Sequence, residues 1–174
     1  MKINAIEVEG FGAWSNLRLE GLTEDLNVFC GPNEAGKTTL LQFVRSVFYG
    51  FSPERRRYLP PVHGGRPGGA IDVAGPSGRF RVTRHDEGEA TPARAVLFAS
   101  DGSRQGEHFL KVLLCNVDES IFNNVFAVGL REMQELGALG DTEAAALLFN
   151  ISIGLNSVSL VDTMRELDNS RRRL

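Results

Sequence analysis

A chain of 174 residues, 42% hydrophobic and 24% charged, has enough apolar sequence to bury the core of one ordinary soluble domain and too much to stay disordered. Its formal net charge of −3 excludes a surface coated in basic residues for nucleic acid, while leaving room for a local basic patch. No apolar run approaches the roughly 18 residues of a bilayer span and the N-terminus lacks a basic-then-apolar leader, so a cytoplasmic protein with no membrane partner is expected.

In chain order, KINAIEVEGF (2–11) and NLRLEGL (16–22) interleave polar and apolar residues and read as two strands. LNVFC (26–30) reads as a short buried strand that runs into a glycine-containing loop. In TTLLQFVRSVFYG (38–50), Leu40, Leu41, Val44, Val47 and Phe48 share one helical face, with Gly50 as the C-terminal stop. Residues 52–69, SPERRRYLPPVHGGRPGG, are rich in Pro, Gly and Arg and read as a mobile excursion; the run Arg55, Arg56, Arg57 reads as a solvated loop, with contact to DNA or phosphate as the alternative. AIDVA and RFRVTR, joined by GPSG, read as a hairpin, and RAVLFA as a strand that ends in a Ser-Asp-Gly turn. GEHFLKVLL, DESIFNNVF, LREMQEL and DTEAAALLFNIS read as helices. Cys30 and Cys115 lie in apolar contexts without C-x-x-C spacing and are expected to be reduced, buried thiols, and His63, His85 and His108 form no ligand pattern.

The chemistry is carried by CGPNEAGKTTL, residues 30–40, which fits G-x-x-x-x-G-K-S/T between a predicted strand and a predicted helix. In such a loop successive backbone N–H groups converge with the helix N-terminus on one phosphate site. Gly31 and Gly36 let the chain turn sharply and approach an anion with no Cβ in the way. Lys37 is placed to reach the β- and γ-phosphates of ATP, and the Thr38 hydroxyl to ligate Mg²⁺ between them. Pro32, Asn33, Glu34, Ala35 and Thr39 complete the expected nucleotide-binding loop. No N-K-x-D guanine motif occurs. The candidate for an apolar strand that ends in a catalytic acid, VLFASDG with Asp101, reads as a hairpin turn instead.

Five stretches, MKINAIEVEGFGAWSN, GPNEAGKTTLL, FRVTRH, IFNNVFAVGLREMQEL and a last helix beginning near Asn156, resemble the heads of SMC-like ATPases, above all the double-strand-break repair ATPase and its bacterial YhaN-like relatives. In that family the N-terminal lobe carries the phosphate loop, a long coiled coil follows, and the C-terminal lobe supplies the signature motif and the catalytic carboxylates. The resemblance implies an α/β fold, a P-loop NTPase of ABC/SMC head type whose mixed sheet with antiparallel hairpins surrounds the loop helix. It implies that residues 1–155 form the N-terminal lobe and that 156–174 begin the coiled coil. Leu160, Met164, Leu167, Arg171 and Leu174 fall at the spacings of such a seam, with a helix packed on the core as the alternative.

The same resemblance implies ATP and Mg²⁺ as cofactors, the missing C-terminal lobe and a second head as partners, and work on DNA ends in DNA repair, with DNA and a nuclease subunit as further partners. It places Asn33 near the γ-phosphate and turns Glu34 outward, toward solvent or the opposing head. Where the family has a basic residue after the Phe of its first strand, this chain has Gly12, Ala13 and Trp14 after Phe11. The family's Q-loop Gln, which senses Mg²⁺ and the attacking water, aligns with Gly129, and Gln134 stands five residues on; either Gln134 carries that catalytic and metal role or it is an exposed helical residue. A self-contained P-loop kinase or other phosphotransferase, and a nucleotide sensor without hydrolysis, are the alternative functions.

Overall fold

The computed structural model describes residues 1–88 and 93–127. They fall into two units, Met1–Asn116 and part of Val117–Leu174. The first unit is built on a six-stranded sheet. Its strands are β1 (Lys2–Phe11), β2 (Trp14–Leu19), β3 (Gly68–Gly75), β4 (Gly78–His85), β5 (Val96–Ala99) and β6 (Arg104–Gln105), in the order β2-β1-β3-β4-β5-β6. Every described pairing is antiparallel. Helix α1 (Lys37–Tyr49) lies against β1, β3 and β4.

Side-chain alternation decides which face meets the helix. Along β1, Ile6 and Val8 are buried while Glu7 and Glu9 remain partly exposed, as the two-residue period of a strand requires. Val8, Phe11, Phe43, Val47, Ile71, Val73, Val82 and Leu97 form the centre of the core, each contributing roughly 1.5 to 3 kcal/mol by leaving water. On the opposite face Arg81 binds both Asp72 and Glu7, and Arg18 donates to Glu7 at 3.1 Å. Hydrogen bonds from Arg81 and then Arg18 hold the Glu7 carboxyl below the usual carboxylate range.

Three sequence expectations for this unit are corrected. LNVFC forms no strand: Leu26 and Val28 are 86% and 70% exposed, and Phe29 is also in solvent. A short apolar run becomes a strand only when a neighbour completes its hydrogen-bond ladder, and none of the described strands pairs with it. Residues 52–69 do not form one open excursion: residues 52–61 are bonded to the β1–β2 turn, residues 62–66 are exposed, and Gly68 and Gly69 belong to β3. Helix α2 (Pro53–Arg56) is capped by Ser52, Gly12 N–H donates to Tyr58 O at 2.8 Å, Val62 N–H donates to Gly12 O at 2.9 Å, and the Tyr58 ring stacks on Phe11 at 5.1 Å. Both cysteines are exposed and free, because Cys30 leads into an open loop and Cys115 sits in a turn with φ 55°.

Other expectations hold. Ser100, Asp101 and Gly102 make the β5–β6 turn, in which Gly102 N–H donates to Ala99 O at 2.9 Å and Ser103 N–H donates to the Asp101 carboxylate at 2.8 Å. The Ser103 side chain, and then its N–H, lower the Asp101 pKa by hydrogen bonding, and the carboxylate stays in solvent. Helix α3 (Glu107–Leu113) buries Leu110 and Leu113. In the second unit Asp118 caps the short helix α4 (Glu119–Ile121), which continues as a π-helical turn over Phe122–Phe126. Gly129, Gln134, the helices predicted from Leu130 and Asp141, and the boundary at 155/156 lie outside the described residues.

Candidate nucleotide-binding site

The loop from Gly31 to Gly36 runs through solvent and ends at the first turn of α1. Its sharp course needs left-handed backbone at Glu34 (φ 65°) and at Gly36 (φ 83°), the second of which is the helix N-cap. A glycine N-cap brings no side-chain oxygen, and the first turn, Lys37-Thr38-Thr39, carries no acid. The amides of that turn and the positive end of the helix dipole are therefore offered to an external anion rather than consumed by a cap. A Cβ on Gly31 would come within 3.1 Å of the Ala35 Cβ, so any larger residue there would crowd Ala35. These residues fit a phosphate group.

Gly31, Pro32, Asn33, Glu34, Lys37 and Thr38 are exposed, and Ala35, Gly36 and Thr39 are half-buried. The Lys37 ammonium donates to the carbonyls of Gly31 at 2.8 Å and Pro32 at 2.6 Å, which ties the start of the loop to the start of the helix. Thr38 is exposed at the same helix end, where a phosphate-bound Mg²⁺ would be met. Among the described residues no group of three or more His, Cys, Asp or Glu could hold a metal by itself.

Two features escaped sequence reasoning. The first is Trp14. Its indole N–H donates to the Gly36 carbonyl at 3.1 Å, and its ring lies against the Gly36 Cα, where a Cβ would fall 2.8 Å from three indole atoms. The second is the opposite end of α1. Arg84, 5% exposed, donates to Val47 O at 2.9 Å, Phe48 O at 3.4 Å and Ala93 O at 2.6 Å, and pairs with Glu107 at 2.8 Å. Burial pushes its pKa down from the ordinary arginine value, and Glu107 opposes that shift. Arg55 Nε adds a bond to Gly50 O at 2.8 Å. Two cations thus meet the negative end of the dipole whose positive end faces the loop.

The arginine run is taken apart by the fold. Arg55, on α2, is buried and binds the Gly50 carbonyl at the end of α1, Arg56 binds Asp86 at 3.0 Å, and Arg57 is exposed beside the Tyr58 ring. Asp101, in its turn, has the geometry of a turn residue and not of a catalytic strand end. No helix among the described residues is long and apolar enough to cross a membrane.

Comparison with known proteins agrees with this geometry. A solved structure from work on the ATP-driven dimerisation and DNA-stimulated activation of SMC ATPases superposes with a TM-score of 0.59 at 16% identity, covering 87% of this chain and 99% of its own. The fold is therefore of the kind seen in that SMC ATPase structure. The uncharacterised protein YhaN of Bacillus subtilis (strain 168) is 26% identical over 172 residues, which is 98% of this chain but 17% of YhaN. A family model, described as an AAA domain, matches residues 1–174, and the chain belongs to that AAA domain family.

Proposed function

We propose that this chain is the ATP-binding N-terminal half of an SMC-like head ATPase. The observation that carries the reading is the loop from Gly31 to Lys37, which delivers an uncapped helix N-terminus and an exposed lysine to one point. In this reading the loop amides and Lys37 hold the β- and γ-phosphates, Thr38 holds Mg²⁺, and Asn33 lies by the γ-phosphate. Gln134 is assigned to orient water and metal. ATP and Mg²⁺ are the cofactors.

The catalytic carboxylates are assigned to a complementary C-terminal lobe. Exposed Leu26, Val28 and Phe29, an apolar run with no described ladder partner just ahead of the phosphate loop, are the edge such a lobe would cover. The chain's 17% share of YhaN leaves ample sequence for it in a relative of that length. Residues 156–174 begin the intervening coil. Two heads close on ATP, and the complete enzyme works on DNA ends in the cytoplasm, in repair and with a nuclease partner. ATP-driven dimerisation and DNA stimulation, the subjects of the solved SMC work, support that part by fold likeness.

Titration calorimetry with Mg-ATP tests the site. Replacing Lys37 with Ala should weaken binding by roughly 1.5 to 3 kcal/mol, the contribution of a charge-assisted hydrogen bond. Equal affinity in wild type and K37A would remove the site assignment.

A further inference from the structure

We propose that Trp14 is a positioning residue for the phosphate loop: its indole N–H fixes the Gly36–Lys37 peptide unit and so aims the Lys37 amide at the bound phosphate. The inference rests on the nucleotide-binding reading above. The Gly36 carbonyl accepts two hydrogen bonds, from Leu40 N–H at 2.9 Å and from Trp14 Nε1 at 3.1 Å. A carbonyl oxygen has two lone pairs, so both are committed. The peptide unit is planar and trans, with its N–H directed opposite to its C=O, and a fixed Gly36 oxygen is therefore a fixed Lys37 donor.

That unit needs an external hold. Gly36, at φ 83°, has no Cβ to restrict rotation of the adjoining peptide plane. The indole supplies the restriction from both directions: the N–H grips the oxygen, and the ring fills the space a Gly36 side chain would take.

The indole is itself well held. Trp14 pairs with Phe11 across the β1–β2 turn, and Phe11 is fully buried against Phe43, Phe51 and Tyr58. Gly12, in the turn, is wedged between Thr39 of the first turn of α1 and Tyr58, since a Cβ there would fall 2.7 Å from the Thr39 methyl and 3.1 Å from the Tyr58 ring. Ser15, next along β2, donates to Gly64 O at 2.5 Å. The segment 52–67 thus backs the turn, the turn carries Trp14, and Trp14 sets the loop. In this chain Trp14, three residues after Phe11, acts on the nucleotide site through a backbone carbonyl.

Trp14 is the chain's one tryptophan, so its emission reports on this contact directly. Mg-ATP is titrated into wild type and into Trp14→Phe, with affinity read by calorimetry, emission read in the wild type, and thermal melting read on both. The expected result is an emission change in the wild type that saturates with the calorimetric isotherm, and a Kd for W14F weakened about three- to tenfold at a melting temperature near the wild type's, the effect of one lost hydrogen bond. If W14F does not fold, replacing Trp14 with benzothienylalanine keeps the ring shape and removes only the N–H donor, and the same weakening is expected. Unchanged Kd in the donor-free form, or wild-type emission that ignores bound Mg-ATP, overturns the inference while leaving the nucleotide site standing. Absence of Mg-ATP binding to the wild type overturns both.

Discussion

Arg84 shows how one residue far from the phosphate loop supports it. Its guanidinium is almost out of water, and the fork geometry lets it meet three carbonyls and one carboxylate together, which an ammonium cannot do. Arg84→Met keeps much of the volume and removes every one of those bonds, leaving the carbonyls of Val47 and Phe48 at the buried end of α1 without that donor. Chemical denaturation should show a loss of about 2 to 4 kcal/mol, two charge-assisted bonds' worth in a buried setting. Arg84→Lys should recover less than half of it. A loss below 0.5 kcal/mol would mean that water replaces the guanidinium at no cost and that the site is less closed than its burial indicates. Nucleotide affinity should fall far less in R84M than in W14F, because Arg84 holds the helix as a body whereas Trp14 sets one peptide plane at the site.

At the scale of elements, local pattern was legible where local chemistry decides the outcome. The phosphate loop could be read because its glycines, lysine and threonine serve a site made by a few consecutive residues. The β3–β4 hairpin could be read because GPSG and the flanking alternation specify both turn and register. Reading failed where a partner distant in sequence decides. The excursion has a loop's composition, yet Tyr58 finds Phe11 and Gly12, and Arg56 finds Asp86, 30 residues on. LNVFC has a strand's composition and no described neighbour to pair with. Trp14 stands 22 residues from the carbonyl it holds, a contact no sequence spacing announces. The packing of Arg55 and Arg56 has a direct consequence for proteolysis. Under native conditions limiting trypsin should spare the bonds after Arg55 and Arg56, the first buried and the second ion-paired, while cutting after exposed lysines and arginines elsewhere. Mass spectrometry of the early fragments checks this, and first cuts after Arg55 or Arg56 would show that α2 leaves the Tyr58–Phe11 stack in solution.

For the whole molecule, the proposed half-head reading turns on which parts of an ATP site the described residues hold. The described residues contain a phosphate loop with a lysine and a threonine, but no apolar strand among them ends in paired acids, and Asp101 belongs to a turn. Binding and hydrolysis should therefore separate: the chain alone should bind Mg-ATP and release phosphate hardly at all. When the complementary lobe is supplied in trans, it should cover Leu26, Val28 and Phe29, and phosphate release should appear. If each site also draws residues from a second head, the specific rate should climb with protein concentration before levelling, since a closed two-fold dimer forms as the square of the monomer concentration. The measurement is steady-state phosphate release over a concentration series, for the chain alone and with the added lobe, each against its Lys37→Ala form. A specific rate independent of concentration in the reconstituted head would assign each site to a single head. Strong turnover by the chain alone, abolished in K37A, would instead mark a self-contained phosphotransferase, whose acid would have to come from residues the described sheet does not bring to the loop.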